Sequence, residues 1–172
     1  MFKRKILIIF FFLFNFKVNA AENFVIVDVD FLLNNSKAGI YIKESMKSNT
    51  DKIIKKFQSK EKELKEEEKK VLSQKKILSE EDFKKKVSSL NKEIIKYTDE
   101  RKKSIEDSRK KRNEATKKLL AIINSLLVEY ADKNNISLII DKKNIIMVKN
   151  ENDVTKEIFE LLNKKVNKIK VK

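Results

Sequence analysis

The stretch FQSKEKELKEEEKKVLSQKKIL (residues 57–78) carries an apolar residue at every seventh position, Phe57, Leu64, Val71 and Leu78. FKKKVSSLNKEIIKYTDERKKS (residues 83–104) repeats the spacing at Phe83, Leu90, Tyr97 and Ser104. A period of seven keeps one narrow seam of a helix turned toward a partner helix. The two series mirror each other about a point between Glu80 and Glu81, setting Phe57 opposite Ser104, Leu64 opposite Tyr97, Val71 opposite Leu90 and Leu78 opposite Phe83. A mirror point within one chain predicts a long antiparallel helical hairpin, a coiled-coil arm with its tip near residues 79–82. Ser79, three residues before Asp82, has the form of a cap opening the second helix.

Composition fits an arm better than a catalytic domain. Gly39 is the only glycine, there is no proline, and 39% of residues are charged, which favours long solvated helices. The absence of His and Cys removes imidazole acid/base chemistry, thiol nucleophiles and the usual zinc ligand sets. With a single glycine neither a P-loop nor a GxGxxG turn can be written. No short motif frames a Ser, Asp and Lys set, so no enzyme, cofactor or metal is expected.

Lys3, Arg4 and Lys5 precede an apolar run from Ile6 to Phe16, followed by Val18-Asn19-Ala20. This is the pattern of a signal peptide, residues 1–20, cleaved after Ala20. The run falls short of the roughly 20 residues that a spanning helix needs. The mature chain is therefore expected to be exported, most simply to the periplasm of a bacterium with two membranes. Losing Lys3, Arg4, Lys5 and Lys17 lowers the formal charge from +15 to +11.

Between Lys43 and Lys118 there are 26 Lys and Arg against 16 Asp and Glu. Read as a one-signed excess along the arm, this creates a field that attracts acidic partners. Lys102, Lys103, Arg109 and Arg112 are the candidate binding cations.

The ends of the mature chain have a different texture. Phe24 to Val29, Ser137 to Asp141 and Ile145 to Val148 are β-branched runs that predict three strands, with Lys142-Lys143-Asn144 joining the last two as a hairpin. Val154, Ile158, Leu161 and Leu162 mark one face of a C-terminal helix capped by Asn152 or Asp153. The expected fold is α+β: residues 37–118 form the arm, and residues 21–36 with 119–172 form a small β-body and oligomerisation region. From Leu119 to Tyr130 the returning helix has almost no polar face, and so small a body predicts that another copy covers part of it. Phe24, Ile26, Leu119, Ile123, Leu126, Leu127, Tyr130, Leu138 and Ile140 are the candidate body and oligomerisation residues.

Val27-Asp28-Val29-Asp30-Phe31-Leu32-Leu33, Ser36-Lys37-Ala38-Gly39, Leu78-Ser79-Glu80-Glu81-Asp82-Phe83, Ser137 to Asp141 and Asn152-Asp153-Val154-Thr155 occur in that order around the coiled coil. Over essentially the whole mature chain this resembles the Skp (OmpH) family of periplasmic chaperones. The resemblance implies a homotrimer whose strands form a central body. Its tentacle-like arms enclose a cavity that holds unfolded outer-membrane proteins without ATP. It also implies contact with a membrane surface or lipopolysaccharide, for which no residue can be matched here. A structural coiled-coil envelope protein without chaperone activity would share the same seam. A nucleic-acid partner is not expected, because export separates the chain from DNA and no aromatic-interleaved basic platform is present.

Overall fold

A computed structural model describes residues 23–171, so the signal peptide expected at residues 1–20 lies outside the described residues. The chain is α+β, built as a long helical hairpin rising from a small body. Strand β1 (Phe24–Val27) leads into a short helix α1 (Val29–Asn35). Two long helices follow, α2 (Lys37–Ser73, 37 residues) and α3 (Glu80–Asn134, 55 residues). Strand β2 (Leu138–Asp141) and helix α4 (Thr155–Lys165) complete the body. At 1.5 Å per residue, α3 alone is about 80 Å long.

The junction from α1 to α2 is made by Ser36, which is fully buried. Its Oγ accepts from the Gly39 backbone N–H at 3.1 Å and caps α2. Gly39 is required there by space: a Cβ on it would lie 2.0 Å from the Leu33 carbonyl oxygen. At the far end α3 stops at Asn135, whose left-handed backbone (φ 52°) turns its N–H back onto the Ala131 carbonyl.

The body core gathers Leu32 of α1, Leu119, Ile123 and Leu126 of α3, and Ile158 and Leu162 of α4. Phe31 packs against Phe159 with the rings tilted at 55° and their centroids 5.4 Å apart. Helix α4 is latched by Thr155 Oγ1, which accepts from the Asp28 N–H, and by Asn163 Oδ1, which accepts from the Lys37 N–H. Asp153 accepts from the Thr155 N–H at the start of α4.

Four expectations change. Strand β1 ends at Val27 and not at Val29, because Asp28 Oδ1 accepts from the Phe31 N–H and caps α1, which already includes Val29. Residues 145–148 form no strand, and Lys142–Asn144 is a 3-10 turn, so the expected hairpin is absent. The sheet has two strands, β1 parallel to β2 with Phe24 beside Leu138 and Val27 beside Asp141, and a single bridge from Ile26 to Asp153 on the other side of β1. The arm turns over a 3-10 segment at Gln74–Lys76 and at Ile77 to Ser79, ahead of the expected 79–82; Glu80, Glu81 and Asp82 already belong to α3. Finally, Leu119, Ile123 and Leu126 are buried within this one chain by α1 and α4, and Ile26 is buried in β1, so only the rest of the stripe, with Val128 exposed, is left for another copy.

Replacing Gly39 by Ala is expected to lower stability by about 1–3 kcal/mol, since a backbone carbonyl occupies the space of the added methyl and must move. Equilibrium urea unfolding measures it, with wild-type stability as the contrary result.

Candidate functional site: the basic arm base and the exposed body edge

The seam of the arm is narrow. Phe57, Leu64, Val71 and Leu90 are buried, and Phe83, Val87 and Tyr97 pack against them while remaining partly exposed. Leu78, at the turn, is half-buried. Tyr97 lies edge-on to Phe57, with centroids 5.7 Å apart, and its hydroxyl reaches Glu61. The mirror reading put Ser104 opposite Phe57. Tyr97, seven residues earlier, meets Phe57 instead, so α3 sits about two helical turns nearer the body.

Ion pairs do little to join the two helices. Lys65 to Glu61, Lys84 to Glu80, Lys85 to Glu81 and Arg109 to Glu106 each lie within one helix. Among the described residues only Lys60 to Glu93, at 3.9 Å, crosses between α2 and α3. Exposed pairs of this kind add little stability.

The charge is not spread along the arm as the composition suggested. From Phe57 to Glu100 there are 12 Lys and 11 Asp and Glu, so the outer arm is balanced. From Arg101 to Lys118 there are nine Lys and Arg against three Asp and Glu, and all nine cations are exposed. The positive field therefore sits at the base of α3, next to the body. Lys102, Lys103, Arg109 and Arg112 all fall in this zone. Arg109 is tied to Glu106 at 3.1 Å, and its hydrogen bond holds that carboxyl below the usual range. Lys102, Lys103 and Arg112 enter no ion pair among the described residues.

The body residues divide into two sets. Phe24 is 40% and Leu138 54% exposed, while Leu127, Tyr130 and Ile140 are half-buried. Beside β2 a shallow groove of about 340 Å³ is lined by Leu127, Val128, Ala131, Ile136, Leu138 and Ile139. Ile146 and Met147 in the following loop are 105% and 88% exposed, so no side chain among the described residues covers them. That loop was legible only as a strand, and Val128, 60% exposed, was hidden inside an apolar run. Among the described residues no cluster of acidic side chains could hold a metal ion.

A protein with this architecture, a balanced outer hairpin, a basic base and an apolar body edge, belongs to the arm-and-body class of helical proteins. The family model for outer membrane protein (OmpH-like) matches residues 23–162, and the chain belongs to that family. A Caulobacter crescentus crystal structure of an OmpH-like protein proposed to be an outer membrane chaperone has the same fold, with a TM-score of 0.81 at 11% identity. The likeness covers 88% of this chain and 89% of that one. No curated protein matches this chain.

Tyr130 joins α3 to α4 through a hydrogen bond from its hydroxyl to Glu157. Burial, then that hydrogen bond and the Glu157 charge, push its pKa up from 10.0 to about 12. A raised folded-state pKa means that its contribution is complete below pH 10 and is lost as pH rises toward about 12. Tyr130→Phe is expected to flatten the decline of melting temperature over that interval relative to wild type. Parallel declines would show that Tyr130 does not couple folding to pH.

Proposed function

We propose that this chain is an ATP-independent holdase of the periplasm that captures unfolded outer-membrane β-barrel proteins and prevents their aggregation. The observation that carries the reading is the excess of nine exposed cations over three acids at the base of α3. A field of one sign draws acidic, extended chains in quickly and holds them by many weak contacts. Membership of the OmpH-like family and the chaperone role proposed for the Caulobacter relative support it. The family is one of chaperones and not of enzymes, in keeping with a chain that has no His or Cys.

In this reading three copies join through their bodies, and their arm bases line a shared basic cavity. Support comes from β2, which pairs only with β1 among the described residues and leaves its other edge open, and from the uncovered Ile146 and Met147 beside it. An open strand edge next to apolar side chains is a pairing surface. The β-branched run at residues 145–148 then becomes a strand when a second copy supplies its neighbour. Joint replacement of Ile146 and Met147 by Lys is expected to reduce the native mass from trimer to monomer with helix content intact, since neither side chain supports the single-chain core. A trimeric mass for that variant would remove the body edge from the interface.

The functional test is light scattering during dilution of a denatured outer-membrane protein. The mature protein is expected to suppress scattering. Suppression should weaken as salt rises through 0.1–0.15 M, where exposed charges are screened beyond about 8–10 Å. Changing Lys102, Lys103, Arg109 and Arg112 together to Glu should slow capture far more than any single change. Unaltered scattering at every salt concentration would leave the chain a structural coiled-coil spacer.

A further inference from the structure

The seam of the arm changes chemistry just where the charge does. On α2, buried apolar positions stop at Met46 and resume at Phe57; on α3 they stop at Leu90 and resume at Ala115. Within this interval Tyr97 still packs edge-on to Phe57, but nearer the body the contact is polar: Asn49 Nδ2 donates to Ser108 Oγ at 3.2 Å. Small hydroxyl side chains at Ser104 and Ser108 do not fill the space between two helices as leucines would. A groove of about 440 Å³ remains, lined by Ile53, Ile54, Phe57, Tyr97, Arg101 and Ile105. Ile54 is 47% and Ile105 54% exposed, one from each helix.

The charges around the groove are unequal. Its single acid, Glu61, already receives Lys65 Nζ at 2.8 Å and the Tyr97 hydroxyl at 3.4 Å. The hydrogen bond and charge of Lys65, with a smaller contribution from Arg101, hold the Glu61 carboxyl below its usual range. Arg101 closes no ion pair within 4 Å among the described residues. A guanidinium at an apolar groove, with the one nearby carboxylate engaged elsewhere, is suited to a carboxylate from another chain.

We propose that this groove is a discrete subsite for an extended segment of the unfolded client, with apolar residues at alternate positions and a carboxylate that meets Arg101. The inference rests on the chaperone reading and deepens it. An extended chain sets every second side chain on one face, about 7 Å apart. Such a segment seats its apolar side chains on Ile54, Phe57 and Ile105 while an Asp or Glu engages Arg101. Capture thus combines a long-range field with a short-range apolar contact at one level of the arm.

The test uses the full mature protein and two short labelled peptides of alternating Leu and Thr, one with a central Asp and one with Asn in its place. Fluorescence anisotropy reads their binding. Ile54→Ser combined with Ile105→Ser is expected to weaken the Asp peptide about tenfold, the loss of two partly buried apolar contacts. Arg101→Gln is expected to abolish the preference for the Asp peptide over the Asn peptide. Both isoleucines are half exposed, so circular dichroism and native mass should stay at wild-type values. Wild-type peptide binding in both variants, with aggregation still suppressed, would overturn the subsite and leave the chaperone reading standing. A lowered native mass for the double variant with unchanged peptide binding would assign the groove to a second copy and overturn the proposal as well. Failure of the wild type to suppress aggregation would instead remove the reading on which the subsite rests.

Discussion

The burial of Leu119, Ile123 and Leu126 against Leu32, Ile158 and Leu162 holds the rest of the molecule in place. These three residues belong to the same unbroken helix that forms half of the arm, so α3 is both the core of the body and the return limb of the hairpin. A continuous helix carries its direction outward from the packed end. The arm therefore points where the body core aims it, and α2 follows because Ser36 and Gly39 start it against the end of α1. Helix α4, latched onto Asp28 and Lys37, closes the core over α3. Without that lid the apolar stripe on α3 would face water.

Beyond the body the arm divides into two regimes. The outer part has an apolar seam and balanced charge, which suits a self-supporting hairpin with no strong attraction for other molecules. The inner part has a polar seam and most of the net positive charge. Weak internal packing and a strong external field therefore coincide at one level. Groups left unsatisfied by the partner helix, such as Arg101 and the exposed faces of Ile54 and Ile105, stay open to solvent at that level. A continuous leucine seam would have filled the groove and stiffened the arm, at the cost of that surface.

The hairpin was legible because a heptad is a property of one chain: Phe57, Leu64, Val71 and Leu90 face inward whatever else is present. Its turn was placed too late because Ile77 and Leu78 continue the apolar spacing, although Ile77 is 81% exposed beyond the end of the seam. Helix α1 was missed because Val27-Asp28-Val29-Asp30 alternates like a strand, whereas Asp28 serves as a cap. The run at residues 145–148 has strand composition, but a strand needs a neighbour and this run pairs with none among the described residues. The basic candidates could be counted from composition, yet their concentration at the base of α3 was obscured by summing over the whole arm. The groove was not legible, since it depends on which residues of α2 meet which residues of α3, and that register moved with the turn.

The most direct measurement is photocrosslinking of a trapped outer-membrane protein from single reactive side chains introduced at residue 103 at the arm base, residue 68 on the outer arm and residue 144 on the body loop. Capture by the basic arm base is expected to give strong crosslinks from residue 103, weak ones from residue 68 and none from residue 144. Crosslinks confined to residue 144 or to residue 68 would contradict it.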